Sequence, residues 1–453
     1  MEKKLSYPKL ALFGLQHMFA MFGATILVPL LSGLSVQVTL VGVGIGTLIF
    51  HFFAKGRVPA FLGSSFAFLV GIRLITDPTA GIFPAQVLED GYVLLQENIN
   101  NMVAGSTVSA TAFRDATLQY ATGGILVSGL LYLVFAGIIK LVGVKSFMKF
   151  MPPIVTAPTV ILIGIMLAPH AINQSSQNIL LAVATLGFII VASSWGRGMV
   201  KIIPILLGIS GAYVLALILN AVGMTNANGT AIIDFAAATA RVGDGIVGMP
   251  PFMMPRFGLV PILIMLPFAV ATIAEHIGDM IALSSIVGED FTEKPGLTRT
   301  LLGDGVATIF SGLIGGPANT TYGENVGVVA LTRIFNPRVV QIAAVYAAVL
   351  GFSPLVASVI YSVPAAIIGG ASFMLYGMIA AVGIRNLVES KIDISRTKNL
   401  TIIAVMLVTG LGLRFGPRIV FAVGEMDVPI DRLGIAIAVV AGVVLNLILP
   451  DND

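Results

Sequence analysis

GGPANTTYGENVGVVALT, residues 315–332, is too interrupted for an ordinary membrane helix and too apolar for a loop. Pro317, Asn319, Thr320, Thr321, Gly323 and Asn325 break the apolar run, and Glu324 sits in its middle. A helix needs roughly 20 residues to cross a hydrocarbon core about 30 Å thick. An extended segment covers the same depth with far fewer, at about 3.3 Å per residue. The stretch therefore predicts a few strand residues leading into a half-helix. Lipid offers a strand no hydrogen-bond partners, so such a strand must line a cavity or pair with another. The candidate partner is AFLGSSFAFLVGIRLI, residues 60–75, broken by Gly63, Ser64 and Ser65. The two broken segments begin about 257 residues apart, and pairing their strands satisfies both.

The rest of the chain supplies the setting. Of 453 residues, 57% are hydrophobic and 10% charged, with a mean hydropathy of +0.99. A soluble domain is about 25% charged, so this is a polytopic membrane protein. Fourteen spans are predicted, near 10–31, 36–54, 59–75, 118–140, 153–170, 178–195, 202–222, 259–284, 300–315, 317–332, 339–361, 364–384, 400–413 and 433–449. The first reads as a retained span, because no small-residue cleavage site follows it. With both termini in the cytoplasm, 18 of the 25 Lys and Arg fall on the inner side, as the positive-inside rule requires. Long outer loops then lie at 76–117 and 223–258. Seven spans per half is an odd number, so the second half enters the membrane the other way up. The expected fold class is thus an all-α polytopic membrane protein, 14 spans in two inverted seven-span repeats, with spans 3 and 10 each a short β-strand plus a half-helix. Inverted repeats of this kind build secondary transporters whose site lies where broken helices meet.

Several classes are excluded. The chain has no Cys, which removes disulfides, thiolate metal sites and thiol catalysis. Four dispersed His make no metal cluster. No nucleophile constellation or phosphate loop is visible, so an enzyme is not expected. A net charge of +3 makes no case for nucleic acid.

Intramembrane acids are functional-site hypotheses by default, because hydrocarbon cannot solvate a carboxylate. Glu275 lies within LPFAVATIAEHIGDMIAL, residues 266–283, and Asp279 follows it on the same helical face. Two carboxylates that close resist double ionisation, which makes Glu275 and Asp279 the candidate proton carriers. Glu324 falls where a half-helix should begin, and the partial positive charge of that end favours its ionised form. Asp304 is a further acid in span 9, and His17 a lone His in span 1. Phe66 offers an apolar face beside the span-3 break, and Tyr322 and Tyr376 offer aromatic rings. Bland readings stand beside these: a helix cap for Glu324, interhelical hydrogen bonds for Asp279, His276 and His17, and ordinary packing for the aromatics.

These residues carry a resemblance. QHMFAMFGATILVP (16–29), VPAFLGSSFAF (58–68), AEHIG (274–278), NTTYGENVGVVALTR (319–333) and LYGMIAAVGIRNL (375–387) resemble the nucleobase–ascorbate transporter family, most closely its bacterial uracil permeases. Glu324, Asn325, Gly327, Thr332 and Arg333 fit the family's signature positions, and Ser65 falls within its third-span motif. The resemblance implies a core domain from residues 1–140 and 223–361 (spans 1–4 and 8–11). It implies a gate domain from residues 141–222 and 362–453 (spans 5–7 and 12–14). It implies substrate contact by Glu275 and Glu324, with Phe66, Gly323 and Tyr322 nearby. Ala24 and His17 fall near the pocket, with Tyr376 across from it on the gate. The implied activity is proton-coupled uptake of uracil or a close pyrimidine by alternating access, with Glu275, Asp279, His17 and Asp304 as proton-coupling candidates. The proton is the coupling ion; no metal, other cofactor or nucleic acid is expected. The setting implied is the bacterial cytoplasmic membrane, among lipid, in a homodimer joined through the gate domain. Enteric uracil permeases have His where Asp279 stands and Asn where Asp304 stands. Xanthine and urate carriers share both Asp but usually have Gln where Glu324 stands. A xanthine or uric acid:proton symporter is therefore the first alternative. An anion exchanger or channel of the related seven-plus-seven fold is the second, though two acids in the pocket argue against an anionic solute.

Overall fold

A computed structural model describes residues 6–80, 82–83, 85–88, 92–96, 99, 102–144, 152–243, 245–417, 419–423 and 426–450. Side chains of residues 87, 324, 420–423, 426–429, 431 and 432 lie outside that description. Two helices, α1 (Tyr7–Ser32) and α2 (Val36–Phe53), lead into β1 (Leu62–Ser64) and the half-helix α3 (Leu69–Thr76). Strands β2 (Ala85–Val87), β3 (Tyr92–Leu95) and β4 (Thr107–Ser109) precede α4 (Ala110–Val142), α5 (Pro153–Ser175), α6 (Ile179–Trp195), the single turn α7 (Met199–Ile202), α8 (Pro204–Ala221) and α9 (Phe235–Val242). The order then recurs. Helices α10 (Leu259–Val287) and α11 (Leu297–Leu313) lead into β5 (Asn319–Thr321) and the half-helix α12 (Gly323–Thr332). Next come α13 (Pro337–Leu350), α14 (Pro354–Tyr361), α15 (Ala365–Glu389) and α16 (Thr397–Phe415). A hairpin of β6 (Val420–Val423) and β7 (Met426–Pro429) precedes α17 (Gly434–Ile448).

The molecule is mostly helical, and each of the fourteen predicted stretches holds a helix or a strand followed by a half-helix. Among the described residues, eight helices are by themselves long and apolar enough to cross a bilayer, or nine when one bent pair counts as a single span. That pair is α13 and α14, which the sequence presents as one continuous span at 339–361. They meet at 85°. Pro354 cannot continue a helix from the preceding turn, and the Ser353 hydroxyl caps the new one by accepting from the Val356 N–H at 3.4 Å. A second difference is the segment 76–117, expected as a loop, which contains a three-stranded antiparallel sheet in the order β2-β3-β4. Its buried face (Val93, Leu95) joins Ile99, Phe113 and Ala116 in one apolar cluster. This explains why α4 begins eight residues before the predicted span: its first turns are a platform for the sheet.

The chain forms two compact units, residues 1–65, 168–252 and 275–375 in the first and 66–167, 253–274 and 376–453 in the second. Within the first, α2 packs on α11 and α13. At one end of this unit the Tyr361 hydroxyl accepts from the Val36 N–H at 3.0 Å and so holds the start of α2. The Arg241 guanidinium lies 3.9 Å over the same ring, and Thr239 on α9 meets Ser358 on α14 at 3.1 Å. Within the second unit, the Tyr132 and Thr272 hydroxyls tie α4 to α10. Arg256 is bound twice to Gln119, by its backbone N–H to the carbonyl oxygen at 2.9 Å and by Nε to Oε1 at 3.1 Å. Large apolar side chains stand exposed along α6 (Ile179, Val183, Val191) and α16 (Leu400, Val408), as surfaces that meet lipid do.

Candidate functional site at the strand crossing

The two broken segments pair, as their sequences require. Strands β1 and β5 are antiparallel, with Leu62 opposite Thr321, Gly63 opposite Thr320 and Ser64 opposite Asn319. The ladder is extended at both ends. The Tyr322 N–H donates to the Phe61 carbonyl at 3.1 Å, and the Ser65 N–H to the Ala318 carbonyl at 2.8 Å. Both strands are wholly buried.

Tyr322 fixes the face of this ribbon. Its ring covers Gly63 so closely that a Cβ there would sit 2.1 Å from the ring carbon Cζ. Only glycine fits. The Tyr322 hydroxyl donates to the Ser64 carbonyl at 2.8 Å, and the Ser64 hydroxyl donates to the Thr25 carbonyl of α1 at 3.1 Å. Tyr322, expected beside the pocket, is thus also a structural strut. Directly after it α12 begins. Gly323 is exposed, with open space where a side chain would start, and the first turn of a helix presents N–H groups without intrahelical partners. Glu324 is the second residue of α12; its side chain lies outside the described residues. Asn325 is buried, with no hydrogen-bond partner for either amide atom. Gly327 again borders open space. Thr332 and Arg333 close the helix. The Thr332 hydroxyl donates to the Val328 carbonyl at 2.8 Å, and Arg333 adopts a left-handed conformation with its N–H on the Val329 carbonyl at 2.9 Å.

On α10 the acids divide by face. Glu275 and Asp279 are both half-buried, while His276 between them is fully buried. The i,i+4 pair therefore shares an accessible side, and His276 turns into the protein. There its Nδ1 lies 2.8 Å from Asp304 Oδ2, and its Nε2 lies 2.9 Å from the Thr300 hydroxyl. Asp304 and Thr300 both belong to α11 and are fully buried. Asp304, an intramembrane acid of span 9, thus has a side-chain partner on α10. On α1, Ala24 and His17 are buried, and His17 Nδ1 has no hydrogen-bond partner. The Ser65 hydroxyl is likewise buried without one. Phe66 and Tyr376 belong to the second unit, Phe66 half-buried in the turn before α3 and Tyr376 buried in α15.

Sequence reading missed two residues. Thr47 on α2 and Thr308 on α11 each bind a strand by its backbone. The Thr47 hydroxyl donates to the Leu62 carbonyl at 3.2 Å and accepts from the Leu62 N–H at 3.1 Å. The Thr308 hydroxyl donates to the Asn319 carbonyl at 3.1 Å and accepts from the Asn319 N–H at 3.2 Å. The same device recurs in each half.

Residues 8–419 match the sequence profile of a permease family. The chain belongs to the nucleobase–ascorbate transporter family. It is 39% identical to the uracil permease of Bacillus subtilis (strain 168), over 97% of this chain and 92% of that protein. It is 38% identical to the uracil permease of Bacillus caldolyticus, over 96% and 91%. Among solved structures it is similar in fold to the transmembrane domain of the cyanobacterial bicarbonate transporter BicA. That likeness has a TM-score of 0.60 at 16% identity and covers 98% of this chain and 99% of that one. The transporter-family member described here is a multi-pass membrane protein and not an enzyme.

Proposed function

We infer that this family member imports uracil, or a close pyrimidine, together with protons. The similarity to uracil permeases along nearly the whole chain carries the choice of solute. The strand crossing supports the mode of binding. Uracil is planar and neutral, with two N–H donors and two carbonyl acceptors. Glu275 and Glu324 accept from its N–H groups, and the amides at the start of α12 donate to a carbonyl. A hydrogen bond to a charged group contributes roughly 1.5–3 kcal/mol, so removing one costs about tenfold or more in affinity.

Proton coupling rests on Glu275 and Asp279. Two carboxylates one turn apart on one helix face are placed where they can share a single proton. When Glu275 both binds the solute and shares that proton, the two loads travel together. Alternating access then follows from movement of the core domain against the gate, in a homodimer of the bacterial inner membrane with both termini in the cytoplasm.

In proteoliposomes, uracil uptake is expected to rise with an inward proton gradient and to collapse with a protonophore. Uptake indifferent to the gradient would end the symport reading. Glu324→Gln is expected to weaken uracil binding at least tenfold, and unchanged affinity would remove Glu324 from the site. Asp279 and Asp304 are the residue types that xanthine and urate carriers share, so the same binding assay should include those purines. Tighter binding of xanthine than of uracil would reassign the solute.

A further inference from the structure

The ribbon formed by β1 and β5 has only three residue pairs. A ribbon that short specifies its own register weakly, and a slip of one residue sends every side chain to the opposite face. Such a slip would take Tyr322 off Gly63 and re-aim the residues that enter α12. Something besides the ladder must hold the register.

The hydrogen-bond pattern identifies it. In an antiparallel pair, residues alternate between facing the partner strand and facing outward. Tyr322 bonds to Phe61 and Ser65 bonds to Ala318, so the alternation turns the N–H and C=O of Leu62 and Ser64 to one outer edge and those of Asn319 and Thr321 to the other. An unpaired strand edge inside a membrane protein leaves its polar groups unsatisfied. Here Thr47 satisfies Leu62 on one edge and Thr308 satisfies Asn319 on the other, each hydroxyl donating to the carbonyl and accepting from the N–H of that single strand residue. A hydroxyl is the smallest side-chain group with one donor and spare acceptor sites. Both threonines are fully buried. They stand on α2 and α11, the second helix of each half, 15 residues before Leu62 and 11 before Asn319. Asn319 adds a further lock, its Nδ2 donating to the carbonyls of Gly42 on α2 (3.2 Å) and Ala307 on α11 (3.1 Å).

We propose that Thr47 and Thr308 are a matched pair of positioning residues. Each replaces a missing third strand, and together they fix the register of the crossing strands so that the solute site at the start of α12 keeps its shape. Neither touches the solute. The proposal rests on the uracil-binding reading for its functional consequence, but its structural content stands apart from it.

The experiment uses the full-length protein purified in detergent, as Thr47→Val, Thr308→Val and the matching Ser variants. Valine keeps the shape and removes both hydrogen bonds; serine keeps the hydroxyl. Uracil dissociation constants and amide hydrogen exchange at residues 61–65 and 318–322 are measured side by side on monodisperse protein. Each Val variant is expected to bind uracil about tenfold or more weakly and to exchange faster in both segments, because the strands share one ladder. Each Ser variant is expected to recover most of both losses. A Val variant that is merely less thermostable, with wild-type affinity and exchange, overturns the proposal; so does a Ser variant as impaired as Val. If the wild-type protein binds no uracil, the solute reading has failed and the exchange data alone decide. Faster exchange in Val but not Ser then upholds the clamps, and equal exchange rejects them.

Discussion

Gly63 lacks a side chain because the ring of Tyr322 occupies the place where one would begin. That contact shows how residue-level readings fare. The glycine was legible as a helix breaker; its role as the seat of an aromatic ring was not, because Tyr322 lies 259 positions away and no local spacing links them. His276 is similar. Its neighbour Glu275 draws attention as an acid, but the turn of the helix sends the two side chains to different surroundings. The His276–Asp304 contact joins α10 to α11 within a fully buried patch. Removing one partner of a buried hydrogen bond leaves the other unsatisfied, a loss of about 1–3 kcal/mol. Asp304→Ala is thus expected to lower thermal stability sharply. Asp304→Asn, which still offers His276 an acceptor, is expected to lower it far less. Thermal unfolding of the purified variants measures the difference, and equal losses would show that acceptance from His276 is not what matters there.

At the scale of elements, the broken spans were the easiest features to read. Gly, Ser, Pro and Asn inside an apolar run are incompatible with continuous helix, and both strands form where those residues cluster. The bend between α13 and α14 carries a comparable signal in Gly351, Ser353 and Pro354, which total hydropathy conceals. The threonine clamps carried none. Thr47 and Thr308 look like ordinary β-branched residues in apolar helices, and only the three-dimensional path of the strands reveals which threonine faces a backbone. Close approach of α2 to β5 is equally silent in one dimension. A Cβ at Gly46 would fall 2.2 Å from Asn319 Nδ2, so this glycine makes room for the amide that ties the strand to two helices. Gly46→Ala should displace Asn319, and weaker uracil binding with faster exchange at residues 318–322 is expected. Unaltered exchange would mean that the amide can move aside without consequence.

For the whole molecule, the recurring order of helices and strand-plus-half-helix segments underlies the transporter reading, while the distribution of Lys and Arg underlies the orientation. The natural chain has no Cys, which makes that orientation simple to test. A single Cys at residue 228, in the loop after α8, is expected to react with a membrane-impermeant maleimide in intact cells. A Cys at residue 392, in the turn after α15, is expected to react only after permeabilisation. The opposite pattern would invert the topology.

The anchoring of α9 has a practical side. Arg241 rests on the Tyr361 ring, and the hydroxyl of that same tyrosine holds the beginning of α2. Disturbing α9 therefore reaches α2, the helix that carries Thr47. By contrast, residues 227–229 of the turn at Asn226–Gly229 are exposed, and the turn is held by its own bridge between Thr225 and Ala231 and by one bond from the Ala227 N–H to the Gln177 carbonyl at 3.0 Å. An epitope tag or fluorescent reporter belongs in that small turn, and inserted a dozen residues later it would be felt where the strands cross.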